Sequence, residues 1–154
     1  MTGVLLLSLL IGVIAGLRAM TAPAAVSWAA ACGLISLEGS WLAFLGWRFT
    51  PWIFTLLAVG ELVTDQLPTT PSRKVPMQFG ARILLGGLSG AALGASAGQL
   101  WPGLALGAVG AVIGTLGGAT ARAKLAVAFG RDRPAAILED VVAVGGAALV
   151  VLSL

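Results

Sequence analysis

The stretch that decides the fold, residues 82–122, reads RILLGGLSGAALGASAGQLWPGLALGAVGAVIGTLGGATAR. Its 39 internal residues carry no charge, and the run is interrupted only by Trp101-Pro102. A bilayer core about 30 Å thick is crossed by about 20 apolar helical residues. The stretch therefore predicts two membrane-spanning helices joined by a tight turn at Trp101-Pro102.

The composition extends this interpretation to the whole chain. The protein is 58% hydrophobic and only 10% charged, with a mean hydropathy of +1.02. Soluble domains carry about 25% charged residues. We therefore expect residues 1–154 to form a single all-α integral-membrane domain, a polytopic bundle of five to six short helices. The net charge of +3 does not indicate nucleic-acid binding, because the basic residues lie between apolar runs.

Apolar segments and helix-stop signals predict the helices of this bundle. The first two segments, each about 15 residues long, are short for a full crossing, so they either span or re-enter the membrane. Tryptophans between the second and third segments suit a membrane–water interface. If all six segments cross, two groups of three have opposite orientations, which is the arrangement of a 3+3 inverted repeat. The predicted segments are 3–17, 22–37, 50–67, 81–99, 103–122 and one from Pro134 to the C-terminus.

Basic loops predict the orientation of the bundle. The loops 68–82 and 122–133 flank one predicted hairpin, so they lie on the same side of the membrane. Both are basic, and cytoplasmic loops are enriched in Lys and Arg. We therefore expect both loops to face the cytoplasm.

Glycines recur at four-residue spacing in two of the predicted helices. Residues four apart share one helix face, and small residues allow the close backbone approach that drives helix association in membranes. This pattern predicts a glycine zipper. Its partner is either the neighbouring helix of the same chain or another subunit of a dimer or trimer. The helix-packing glycines are Gly86, Gly90, Gly94 and Gly98 in the fourth segment, and Gly110, Gly114 and Gly118 in the fifth.

The few charges within the apolar segments are the candidate site. Glu61 and Asp65 share a helix face, and Glu61 lies about 10 Å from its helix end at 1.5 Å per residue. Glu139 and Asp140 would lie at a similar depth from the same side. Charged groups at such depth usually face a bundle interior and pair with one another. Arg18, Arg82 and Arg122 would lie near the same level and complete the set of substrate- or ion-binding candidates.

Three roles stay open for this acid–arginine set. The charges could mark helix ends, form structural ion pairs, or bind a transported ion or relay protons. Enzyme chemistry has little support, because the chain has no histidine and one cysteine, Cys32. The common zinc ligand sets and Ser-His-Asp or Cys-His catalysis are therefore excluded, and no phosphate-binding glycine loop is present. We expect no catalytic residues, no cofactor and no metal site. The enzymatic alternative is carboxylate chemistry on a lipid at Glu61 and Asp65.

Three short motifs carry a family resemblance: Glu61-Leu-Val-Thr-Asp65-Gln-Leu-Pro68, Arg82 with its following glycines, and Leu138-Glu139-Asp140-Val141. With these motifs the chain resembles an uncharacterised family of small bacterial integral-membrane proteins, known as a domain of unknown function. The resemblance implies a multi-pass protein of the bacterial cytoplasmic (inner) membrane. It implies no activity.

The expected function follows from the charged set. The leading hypothesis is a small transporter or channel for a cation, a proton-coupled solute or a small molecule. The alternatives are a non-transporting scaffold or assembly subunit, and a lipid-binding or lipid-moving protein with a basic rim for anionic headgroups. The expected partners are membrane lipids, further copies of this chain in a homo-oligomer, and a small solute or ion.

Overall fold

A computed structural model describes residues 2–65 and 75–154. Within these ranges all regular secondary structure is helical, which confirms the all-α prediction. A short 3-10 helix, Trp41–Gly46, lies between the second and third α-helices. The α-helices are α1 (Thr2–Leu17), α2 (Thr21–Ala31), α3 (Thr50–Thr64), α4 (Pro76–Ala95), α5 (Leu100–Phe129) and α6 (Asp132–Leu152).

The second helix is shorter than the predicted segment 22–37. It ends at Ala31, and an irregular segment follows in which Gly33 and Gly39 adopt φ values of +80° and +79°. Such left-handed conformations are readily adopted only by glycine, and Gly33, two residues after Ala31, marks the end of the helix. Ile35 and Leu37 are nevertheless buried, because the irregular segment folds back onto the core.

The turn between the fourth and fifth helices lies earlier than predicted. It occupies residues 96–99, and Trp101-Pro102 forms part of the first turn of α5. Proline is tolerated there because a first-turn N–H has no intrahelical acceptor. The prediction that Gly98 packs on a helix face is wrong. Gly98 has a φ of +71° in this turn, and a Cβ added to it would meet nothing within 4 Å.

The fifth helix is also longer than the predicted segment 103–122. It continues to Phe129 and ends at Gly130, whose φ is +72°. Much of the predicted loop 122–133 is therefore helical, and the turn to α6 is only two residues long. The last helix begins at Asp132, two residues before Pro134. The end of the predicted segment 50–67 and the first part of the predicted loop 68–82 fall on residues 66–74, which lie outside the described residues. The rest of that loop is wrong, because α4 begins at Pro76 and includes residues 76–82.

Glycines bring the backbones of α1, α4 and α5 into close contact. A Cβ added to Gly86 would lie 2.8 Å from the Gly107 carbonyl oxygen, and one on Gly90 would lie 2.7 Å from the Gly107 Cα. Real Cβ atoms essentially never approach other atoms this closely. Gly94 packs similarly against Gly103. Since these contacts are within one chain, α4 and α5 form a tight hairpin.

The first helix packs mainly on a second row of α5 glycines. A Cβ on Gly110 would lie 2.8 Å from the Val13 backbone N, and one on Gly114 would lie 2.9 Å from the Val13 carbonyl carbon. A Cβ on Gly16 would lie 2.5 Å from the Ala111 carbonyl oxygen. Gly118, predicted to continue this row, is half-buried. The helix α5 is thus the centre of the α1–α4–α5 unit. The helices α2 and α6 pack against this unit, and α3 packs against α2 and the 3-10 helix.

The outer surface is unusually apolar. On α3, Leu56 and Val63 are 74% and 60% exposed, and on α6 Val141 and Leu149 are 63% and 66% exposed. By length and composition, two helices in the described part of the chain suffice to cross a membrane, namely α5 and α6. The shorter helices α1 and α3 are also apolar.

Candidate acid–arginine site

Arg18 lies at the centre of a charged cluster in the turn between α1 and α2. Its backbone N–H donates to the Ile14 carbonyl at 2.7 Å and closes the last turn of α1. The side chain is 0% exposed. Its guanidinium forms ion pairs with Asp65 at the C-terminal cap of α3 and with Asp140 of α6, and lies 3.7 Å from Glu139 Oε1. One buried cation therefore connects the α1–α2 turn to two other helices.

Glu61 anchors the same turn through the backbone. Its two carboxylate oxygens accept hydrogen bonds from the N–H groups of Ala19 and Met20, both at 2.8 Å. These N–H groups directly precede α2, where unpaired donors and the helix dipole favour an anion. Asp65, the C-terminal cap residue of α3, lies one turn after Glu61 on the same helix face. This spacing lets α3 present one carboxylate to the α2 start and another to Arg18.

Arg82 of α4 links Glu61 to the end of α1. Its guanidinium donates to the Gly16 carbonyl at 2.8 Å and lies 3.5 Å from Glu61 Oε1. The Thr115 hydroxyl also donates to the Gly16 carbonyl, at 3.4 Å. Both Arg82 and Thr115 are buried. A cation at the C-terminal end of α1 complements the negative end of the helix dipole.

Arg122 of α5 forms the outer part of the cluster. It contacts Asp132 in a bidentate manner, with nitrogen–oxygen distances of 2.7 and 3.0 Å. Its Nη1 lies 3.9 Å from Glu139 Oε2, and its Nη2 donates to the Asp65 carbonyl at 3.4 Å. The Asp132 side chain is 62% exposed, whereas that of Glu139 is 7% exposed. The cluster thus runs from a solvent-accessible rim to a fully buried centre.

The structure brings all seven sequence-predicted candidates into one network. They come from the α1–α2 turn and from α3, α4, α5 and α6. Among the described residues, Asp132 also belongs to this network through its contact with Arg122. The predicted candidates in it are Glu61, Asp65, Glu139, Asp140, Arg18, Arg82 and Arg122.

The centre of the network is occupied by a guanidinium group. Within 2–65 and 75–154, no group of three or more His, Cys, Asp or Glu side chains is arranged to hold a metal ion. Arg18 lies between Asp65 and Asp140, where a cation shared by the two carboxylates would have to be. The arrangement therefore provides arginine as the counter-ion of these two carboxylates.

Sequence reasoning missed two parts of the site. The first is Asp132. Its position in the first turn of α6, ten residues after Arg122, could have indicated that it belongs to the site. Acidic side chains are favoured in a first turn, and here the carboxylate also reaches back to Arg122. The second is the backbone: the N–H groups of Ala19 and Met20 and the Gly16 carbonyl. No residue type marks such groups, so only the fold reveals them.

Comparisons with known proteins add no assignment to this geometry. No protein-family model, curated protein or solved structure gives a significant match to the chain. The resemblance to an uncharacterised bacterial membrane family therefore stays a prediction, and the function must be argued from the cluster and its surroundings.

Proposed function

We propose that this protein is a multi-pass integral-membrane protein with its acid–arginine cluster near the cytoplasmic side. The exposed apolar surface of α3 and α6 supports this placement, because it would be covered by lipid. Lys124, Arg131 and Arg133 lie at the cluster end of the bundle, as the positive-inside rule requires of a cytoplasmic face. Trp52 and Trp101 lie in the first turns of α3 and α5, at the opposite end, where they would meet the other interface.

Within that placement we propose a small transporter or channel that carries a proton, or a proton-coupled solute, through the cluster. The observation that carries the proposal is the position of Glu139, a carboxylate that is only 7% exposed and lies between the buried centre and the exposed rim of the network. Buried ionisable groups inside a membrane helix bundle are typical of ion and proton pathways. A proton can bind to such a carboxylate without any helix moving.

Glu139 is the carboxylate best placed to exchange this proton. It lies between buried Arg18 and partly exposed Arg122, at 3.7 and 3.9 Å. A carboxylate between the rim and the centre can receive a proton from solvent on one side and release it to solvent on the other side when the bundle opens. Release of the proton on the opposite side of the membrane requires α1, α4 and α5 to separate. Their glycine contacts close the bundle between Gly16 and that side. This closure corresponds to one state of an alternating-access cycle.

The main alternative, a non-transporting scaffold, is favoured by a specific observation. Arg18, Glu61 and Arg82 together tie the α1–α2 turn to α3, α4 and α6. A protein that uses the cluster only to lock its helices would need the same contacts. The two functions differ in how much stability should depend on the charge of Glu139.

The variant Glu139→Gln distinguishes proton transport from a scaffold role, since glutamine has the shape of a protonated glutamate. If Glu139 carries protons, the variant should stay folded, because its neutral form is already part of the cycle. In reconstituted vesicles with an imposed pH gradient, we expect proton flux to fall to the leak of protein-free vesicles. A locking role predicts instead a loss of about 3–5 kcal/mol of stability, as for a broken buried ion pair.

Glu38→Gln is the matched control, because Glu38 is exposed and lies outside the cluster. It should change neither flux nor the thermal unfolding midpoint in detergent. Wild-type protein that dissipates no gradient for protons or common cations would contradict the transport proposal. Flux that persists in Glu139→Gln would remove Glu139 from the pathway.

The proposed assembly is a homo-oligomer whose interface does not use the α4–α5 glycine row. Gly86, Gly90 and Gly94 already face α5 of the same chain, so a dimer or trimer would have to use other surfaces. The outer faces of α3 and α6 carry exposed apolar side chains that such an interface could use. Cross-linking in native membranes would detect such an oligomer.

A further inference from the structure

We infer that an anionic phospholipid binds in a groove at the turn between α5 and α6. The groove has a volume of about 470 Å³, within the range of about 300–1,000 Å³ typical of small-molecule sites. It is separate from the acid–arginine cluster. Its principal lining residues are Phe129, Arg131, Arg133, Ile137, Leu138 and Val141.

The two arginines at the mouth of the groove supply charge complementarity for a phosphate. Arg131 and Arg133 are exposed, and neither forms an ion pair with any carboxylate among the described residues. The acid between them in sequence, Asp132, contacts Arg122 instead. Two neighbouring guanidinium groups are therefore available to bind phosphate oxygens, for which their planar geometry is well suited.

The rest of the groove fits an acyl chain. Ile137 and Val141 are four residues apart on one face of α6, and they are 51% and 63% exposed. Leu138 lies beside them and is 42% exposed. This apolar strip begins one turn after Arg133 and follows the helix axis towards the centre of the proposed membrane. A chain lying along it would cover apolar side chains that nothing else in the fold covers.

The combination of two arginines and an apolar strip identifies the occupant of the groove as a lipid. An acidic peptide or nucleic acid would match the arginines but would leave the apolar strip exposed. A neutral lipid would match the strip but would leave two cations without a counter-ion. A phospholipid with a net negative headgroup satisfies both, and it approaches from the leaflet that the positive-inside rule assigns to this end. The inference rests on the membrane placement proposed above and does not depend on transport.

Phospholipid binding can be measured on the full chain purified in detergent. Native mass spectrometry would count phosphatidylglycerol and phosphatidylcholine molecules retained per chain, and titration of each lipid would give its affinity. We expect one phosphatidylglycerol to be retained preferentially. The double variant Arg131→Gln/Arg133→Gln should bind it about 30-fold more weakly, from the loss of two interfacial charges.

Three matched measurements make the result specific. Arg48→Gln/Lys124→Gln removes the same charge outside the groove and should retain the lipid. Val141→Trp fills the apolar strip and should weaken binding of long-chain phosphatidylglycerol while leaving the arginines intact. Glycerol phosphate, which has the headgroup phosphate but no chains, should bind far more weakly than the lipid.

Several outcomes would overturn the inference. Equal loss in both double variants would indicate general electrostatic attraction, and equal binding of glycerol phosphate would indicate a phosphate site alone. Equal retention of phosphatidylcholine would remove the role of charge. If the protein instead stays soluble without detergent and fractionates away from membranes, the membrane placement itself fails, which separates that failure from the failure of this site.

Discussion

Replacing Arg18 by methionine is expected to be the most destabilising single change in the charged network. Methionine keeps much of the side-chain volume but removes the cation that contacts Asp65 and Asp140. Three carboxylates, including Glu139, would then face one another in a site where Arg18 is 0% exposed. Removing one partner of a buried ion pair costs about 3–5 kcal/mol, and here several contacts are lost at once. We expect a large fall in the unfolding midpoint, measured in detergent, or a failure to accumulate folded protein.

A second set of variants separates charge imbalance from lost packing. Arg48→Met removes an exposed arginine and should change stability by no more than about 0.5 kcal/mol. Adding Asp65→Asn and Asp140→Asn to Arg18→Met should restore much of the lost stability, because replacing a whole buried ion network by neutral groups is often tolerated. Non-additivity of this kind is expected for residues in contact. An Arg18→Met variant as stable as the wild type would show that the cluster is not what holds the α1–α2 turn.

The charged site could be predicted from sequence because charge is rare in this chain. Once Glu61 and Glu139 are placed at similar depths from the same end, few partners remain for them except the arginines. The helical spacing of Glu61 and Asp65 also fixes their common face. The backbone part of the site was not predictable in this way. The Ala19 and Met20 N–H groups become a carboxylate site only because α2 begins at Thr21.

Helix ends were predicted less well than helix existence, and proline explains the clearest error. Trp101-Pro102 was interpreted as a break, but proline both interrupts a helix and suits its first turn. Placing the turn at 96–99 removes Gly98 from α4 and adds Gly103 and Gly107 to the contact with that helix. The predicted α5 row of Gly110 and Gly114 packs against α1 instead. Four-residue spacing thus predicts that a glycine face exists but not which helix it contacts.

Gly107→Ala is expected to be the most damaging of the small changes in the helical core. A Cβ at this position would lie 2.9 Å from the Gly90 Cα and still closer to the Gly86 carbonyl oxygen. The α1 backbone approaches from another side, since a Cβ on Gly12 would lie 2.8 Å from the Gly107 Cα. Backbone atoms cannot rotate away as a side chain can, so the helices must separate. Overpacking of this kind costs about 1–3 kcal/mol, and small residues at such contacts drive association in membranes.

Gly117→Ala provides a control in the same helix, because its expected effect on stability has the opposite sign. A Cβ at Gly117 would meet nothing within 4 Å, so no helix has to move. Alanine has a higher helix propensity than glycine by about 1 kcal/mol in an exposed helix interior, so this variant should be neutral or slightly more stable. Thermal unfolding of both variants in the same detergent compares them directly. Equal effects would mean that propensity outweighs packing, and that α1, α4 and α5 do not depend on close backbone contact at Gly107. A loss confined to Gly107→Ala would instead locate the packing centre of the bundle where the α1 and α4 glycines meet on α5.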